Sequence, residues 1–108
     1  MNGVPVLLVL RHLSRKQMYG YELVGAIRRS TGEVISLGEG VIYPTLHALE
    51  RQGALARRTI KVEARPRVYY RITAKGRRRL EGVCTDWSRI TTAVAGALRA
   101  TDHAQPAI

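Results

Sequence analysis

The sequence predicts a mostly α-helical chain interrupted by one small antiparallel β-hairpin, and three observations carry that prediction. Apolar residues recur at helical spacing through residues 4–52 and again through 74–100. Between those stretches the period drops to two, the signature of half-buried strands. The chain has 108 residues, 45% of them apolar, which is enough for one packed domain and too little for two.

The elements follow in order. Val4 to Leu13 is densely apolar and reads as a short buried helix, with Ser14–Met18 as a connection. A second helix runs from Tyr19 to Ser30, with Leu23, Val24 and Ile27 on one face, and Thr31-Gly32 stops it. After a loop at 33–38, where Ser36 or Gly38 can cap, a third helix runs from Gly40 to Gln52 and ends at Gly53. Ile42, Leu46 and Leu49 form its buried stripe, and Pro44 is expected in its first turn, where a missing N–H costs nothing. The opposite face carries Gly40, Val41, Pro44, His47, Ala48 and Arg51, with Tyr43 on the flank. That face is small at its start and polar further on, so a duplex can approach it closely.

Residues 67–73 alternate strictly, with Val68, Tyr70 and Ile72 inward and the arginines and Tyr69 outward. Residues 55–62 are the partner strand, and Glu63 to Pro66 the hairpin tip. Thr73 is placed to cap a last helix from Ala74 to Ala100. The expected divisions are a helix-and-hairpin unit at 1–73, a separate long helix at 74–100 and a frayed tail at 101–108.

Charge is distributed unevenly. The formal net charge is +10, and the window 57–79 supplies +9 of it, with ten Lys and Arg against Glu63 alone. Like charge packed so densely is costly unless a polyanion offsets it, and a solvated face ordinarily mixes both signs. The window points to nucleic acid. It lacks the bulky apolar helical face that an anionic membrane surface requires. No apolar run is long enough to span a membrane, and no secretory leader is recognisable. One cysteine, Cys84, allows no internal disulfide, so a reduced, cytoplasmic protein is expected.

Three short helices followed by a basic hairpin is the order of a winged helix-turn-helix, whose third helix enters the major groove while the wing lies along backbone or minor groove. The candidate DNA contacts are Gly40, Val41, Tyr43, Pro44, Thr45 and His47 on the third helix, Tyr21 on the second, and Lys61, Arg65 and Arg67 on the wing. Tyr43 and Tyr21 are candidates for phosphate contacts, with simple packing as the other reading. In the last helix Leu80, Val83, Trp87, Ile90, Val94 and Ala97 are spaced as a coiled-coil seam, which a second copy of the chain would cover. Two readers on a two-fold axis match the half-sites of a palindrome.

Several stretches resemble the PadR family of bacterial transcriptional regulators. They are Met18-Tyr19-Gly20-Tyr21-Glu22-Leu23, the run from Gly40 through Tyr43-Pro44-Thr45-Leu46 to Glu50, and Arg67-Val68-Tyr69-Tyr70-Arg71-Ile72-Thr73 with Gly76. The chain departs from the pattern at Tyr19, where His is usual, at Val41-Ile42 for Thr-Leu, and at a wing tip without a Gly-rich run. The resemblance implies a homodimeric repressor of the small subclass with a single terminal helix, released by a small molecule or stress signal. Regulators of that subclass often carry a tryptophan near the dimer interface, and Trp87 matches it.

Trp87 therefore has two readings. It fills the seam as core, or it and its symmetry mate sandwich a planar aromatic effector between indole faces. Cys84, one turn away, is expected as a buried small hydrophobe. His12, His47 and His103 have no metal-ligand spacing, so no metal or cofactor is expected. Nothing in the sequence pairs a nucleophile with a base or forms a phosphate-binding Gly-rich loop, so an enzyme is not expected. The competing reading is a sequence-indifferent architectural DNA- or RNA-binding protein. Against it stand the groove-facing pattern of the third helix and the single outward tyrosine of the hairpin.

Overall fold

The computed structural model describes residues 3–103. In chain order the elements are α1 (Gly3–Leu13), β1 (Met18–Tyr19), α2 (Gly20–Ser30), α3 (Glu39–Arg51), β2 (Leu55–Val62), β3 (Arg65–Ile72) and α4 (Ala74–His103). This is a winged helix-turn-helix with one long terminal helix, as the hydrophobic periods require. Residues 101–103, expected in the tail, continue α4, and the rest of that tail lies outside the described residues.

Both predicted glycine stops are present and have the same cause. After α2, the Glu33 N–H donates to the Arg28 carbonyl (2.8 Å) while Gly32 turns at φ 60°. After α3, the Ala54 N–H donates to the Leu49 carbonyl (2.9 Å) and Gly53 turns at φ 81°. Each glycine takes the left-handed conformation that satisfies the last helical carbonyls.

Two expectations about the sheet are corrected. Met18 and Tyr19, read as a connection and a helix start, form the two-residue strand β1. It pairs antiparallel with β3, Met18 opposite Tyr70 and Tyr19 opposite Tyr69, giving the sheet order β1-β3-β2. Two residues carry no readable period, and the free edge of β3 decides their conformation. The hairpin tip is also tighter than expected. Val62 pairs with Arg65 across a two-residue turn at Glu63 (φ 54°) and Ala64 (φ 67°). Pro66 thus joins β3 opposite Lys61. The pair flanking such a turn is the hydrogen-bonded one, so Pro66 occupies a non-hydrogen-bonded pair and its missing donor costs the β2–β3 ladder nothing.

The core draws Val9, Leu10 and Leu13 from α1, Leu23 and Ile27 from α2, and Ile42, Leu46 and Leu49 from α3. Tyr70 and Ile72 of β3 close it. His12 ties the ends of α1 and α2 together, with Nδ1 2.7 Å from the Leu8 carbonyl and Nε2 2.7 Å from Ser30 Oγ.

Thr73 caps α4 as expected. Its hydroxyl accepts from the Gly76 N–H (3.1 Å) and donates to the Gly53 carbonyl (2.6 Å). Gly76 lies directly against the Ala54 carbonyl, and Arg79 hydrogen-bonds the Gln52 side chain. The root of α4 is therefore fastened to the turn that ends α3. Leu80, expected as the first seam position, is instead buried at 9% exposure in this chain's own core, because α4 is still packed on the domain at that turn. Beyond it the helix leaves the domain, and the molecule extends to 71 Å along its long axis. Cys84, expected to be buried, is exposed on this projecting part.

Candidate nucleic-acid interface

Helix α3 presents three distinct sides. Ile42, Leu46 and Leu49 face the core. Gly40, Pro44, His47 and Arg51 lie opposite and are exposed. On one flank, Val41, Thr45 and Ala48 border a cleft of about 360 Å³ against Pro5 and Val6 of α1. On the other, the Tyr43 ring covers Gly20 so closely that a Cβ there would meet the phenol at 2.5 Å. Of the third-helix candidates, the structure thus groups Gly40, Pro44 and His47 on the outermost face. Val41 and Thr45 fall on the α1 flank, and the Thr45 hydroxyl already donates to the Val41 carbonyl (2.8 Å). Tyr43 is half-buried where α3 meets the start of α2, with its ring 6.3 Å from that of His47.

Pro44 is the sixth residue of α3, not part of its first turn as expected, because the helix begins at Glu39. The helix accommodates it by forgoing the amide that would meet the Gly40 carbonyl. Beyond the helix's own backbone and its chain neighbours, a Cβ at Gly40 would stand in open space. The first two outward turns therefore bear no long side chain, and a duplex can come close to the backbone.

Tyr21 stands on the first turn of α2 at 67% exposure, beside a hollow it shares with Tyr19, Gly25 and Arg29. The wing contributes the positive charge, and the register divides that charge between two faces. Same-face residues alternate along a strand and lie opposite each other across the pair. Leu55, Arg57, Thr59 and Lys61 accordingly share the inward face with Pro66, Val68, Tyr70 and Ile72. Arg58, Ile60 and Val62 share the outward face with Arg65, Arg67, Tyr69 and Arg71. Lys61 and Arg67, expected to act together, are on opposite faces.

The inward face belongs to α3. Arg57 donates two hydrogen bonds to the Glu50 carboxylate, at 2.8 and 2.9 Å. Those hydrogen bonds, with Arg57's charge, hold the Glu50 carboxyl below its ordinary range against the opposing effect of burial. Burial in the same corner raises the Tyr70 phenol above its usual range. On the outward face, the Arg67 guanidinium sits 4.2 Å from the Tyr19 ring centroid, and Tyr19 meets Tyr69 edge-on at 5.5 Å. The neighbouring Tyr69 side chain raises the Arg67 pKa above its ordinary value. Sequence reasoning missed Tyr19 here, because strand β1 is what brings it alongside Tyr69.

On α4, Val83 and Trp87 are half-buried, whereas Ile90, Val94 and Leu98 are 46%, 53% and 63% exposed. Leu98 extends the apolar stripe, where the sequence reading had placed Ala97 in its last position. Among the described residues no three His, Cys, Asp or Glu side chains gather into a metal site. No helix among them is long and apolar enough to cross a membrane.

Residues 9–82 match the profile of the transcriptional regulator PadR-like family. Over 80 residues the chain is 37% identical to the transcriptional regulator YqjI of Escherichia coli, covering 74% of this chain and 37% of that one. The chain thus spans just over a third of that relative's length. Among solved structures, a PadR family transcriptional regulator from Eggerthella lenta superposes with a TM-score of 0.75 at 36% identity, covering 86% of this chain and 80% of the other. A transcriptional regulator from Clostridium thermocellum gives 0.79 at 27% identity, covering 88% and 92%.

Proposed function

The chain belongs to the PadR-like family of transcriptional regulators, which act on DNA, and from that premise we propose that it is a cytoplasmic homodimeric repressor of a palindromic operator, released by a small-molecule effector. The observation that carries the DNA reading is the outer face of α3. Gly40 and Pro44 leave its first turns bare, His47 offers ring nitrogens to a base edge or phosphate, and Arg51 follows one turn on. Tyr21 at the start of α2, with Arg65 and Lys61 toward the wing tip, supply backbone contacts on either side.

Two features support the dimer. The stripe Val83, Trp87, Ile90, Val94 and Leu98 runs along a helix that has left its own domain. In addition, α1 is apolar all round, and Val4, Leu7 and Leu8 remain only half-buried after its core face is satisfied. A second copy covers both surfaces together. The effector reading rests on Trp87, whose indole and its symmetry mate can clasp a planar aromatic molecule. Release has a route through α4, since Thr73 and Arg79 fasten its root to Gly53 and Gln52 at the end of α3.

Fluorescence anisotropy on the protein's own upstream DNA and on a scrambled duplex, at about 50 and about 200 mM salt, tests the reading. A preference for upstream DNA that survives the higher salt is expected. Equal binding that vanishes with salt would favour the sequence-indifferent architectural alternative. For the effector, flat aromatic compounds should quench the single tryptophan, and unaltered affinity in a Trp87→Ala variant would exclude the indole clasp.

A further inference from the structure

The sheet separates two positively charged regions. Its inward face is turned toward α3, as the Arg57–Glu50 pair shows, and Arg57 is neutralised there. Its outward face looks the other way and carries Arg58, Arg67 and Arg71, with Arg65 next to the tip. None of these four takes part in the ion pairs found among the described residues, which are Lys16–Glu22, Arg28–Glu33 and Arg57–Glu50. Arg58 and Arg71 stand on the sheet face opposite to the one that meets α3 through Arg57 and Glu50. Most of the wing's uncompensated charge is therefore not used by the reading helix.

We infer that the outward face of the sheet is a second DNA surface, which holds the phosphate backbone of a separate duplex without reading its sequence. This inference rests on the DNA-binding reading above. The geometry selects phosphate over base. Alternate residues on one strand stand roughly 6.8 Å apart, so Arg67 and Arg71, with Tyr69 between them, stand roughly 13.6 Å apart along β3, and Arg58 lies beside Tyr69 on β2. Guanidinium groups suit bidentate phosphate contacts. Stacking of unpaired bases, the usual use of aromatics on a nucleic-acid-binding sheet, is disfavoured because Arg67 already occupies a face of Tyr19 and Tyr69 meets that ring edge-on. The same contacts hold Arg67 in place before any ligand arrives, so less side-chain freedom is lost on binding.

The test is a bridging assay on the full chain. A biotinylated 30-base-pair random-sequence duplex is immobilised, and capture of a second, fluorescent duplex by the protein is measured, alongside anisotropy on one duplex alone. The wild type should bridge, and capture should fall steeply with salt because each arginine displaces about one counterion from the phosphates. The Arg58→Ala/Arg71→Ala variant should keep its single-duplex affinity within about twofold and its melting temperature, yet lose bridging by tenfold or more. Undiminished bridging by the double variant would overturn the inference, as would an equal loss of single-duplex affinity, which would fold this face into the primary site. Displacement of the second duplex by a single-stranded RNA more readily than by duplex DNA would also overturn it. A wild type that binds one duplex but never bridges defeats this inference alone. One that binds no duplex defeats the DNA reading itself.

Discussion

Replacing Ile90 and Val94 together by alanine should dissociate the proposed dimer while leaving each chain folded. In the single chain these side chains are 46% and 53% exposed, and a partner helix would cover that surface. Burial is worth about 0.8 kcal/mol per methylene-sized group; truncation removes three such groups from Ile90 and two from Val94. Scaled by the exposed fractions, the loss is about 2 kcal/mol per chain and about 4 kcal/mol per dimer. That corresponds to roughly a thousandfold rise in the dimer dissociation constant. Alanine is the strongest helix former, so α4 itself should not weaken. Sedimentation equilibrium across a range of protein concentrations reads the constant, and circular dichroism checks helicity. A dissociation constant changed by less than tenfold would refute the reasoning, and with it the placing of the interface on this stripe.

Three further outcomes are expected. Gly76→Ala drives a methyl into the Ala54 carbonyl and to 2.7 Å from Ile72 Cγ1, so it should cost about 1–3 kcal/mol and lower the melting temperature by several degrees. Calorimetry showing no change would mean that α4 is not fastened as described. Gly20→Ala should destabilise by a similar amount through Tyr43, and a second change, Tyr43→Ala, should recover part of the loss; strictly additive effects in urea unfolding would refute that contact. Finally, Glu50 has a folded-state pKa held below its ordinary value of 4.5, mainly by the Arg57 hydrogen bond. The unfolded chain therefore binds this proton more readily, so the pair's contribution is complete above that value and fades as pH falls through the folded pKa. Glu50→Gln should melt lower than wild type at about pH 7 and approach it at about pH 3. A gap that persists in acid would assign the effect to packing.

Much of this molecule is determined by short-range rules that a sequence displays. Apolar spacing sets α1, α2, α3 and α4, the glycines at 32 and 53 end two of them, Thr73 begins another, and period-two alternation sets β3, with 55–62 as its partner strand. The charge of residues 57–79 likewise requires no coordinates. Tertiary structure decided what depends on neighbours distant in the chain. Strand β1 exists because β3 offers a free edge, and it alone makes Tyr19 the support for Arg67. Leu80 and Val83 look equivalent on a helical wheel, yet only Leu80 is enclosed, because the domain surface ends between them. The division of the wing's cations into a face toward α3 and a face away from it follows from a two-residue turn that fixes the register. Periodicity shows which residues share a face, but only the packing of that sheet on α3 shows where the face points.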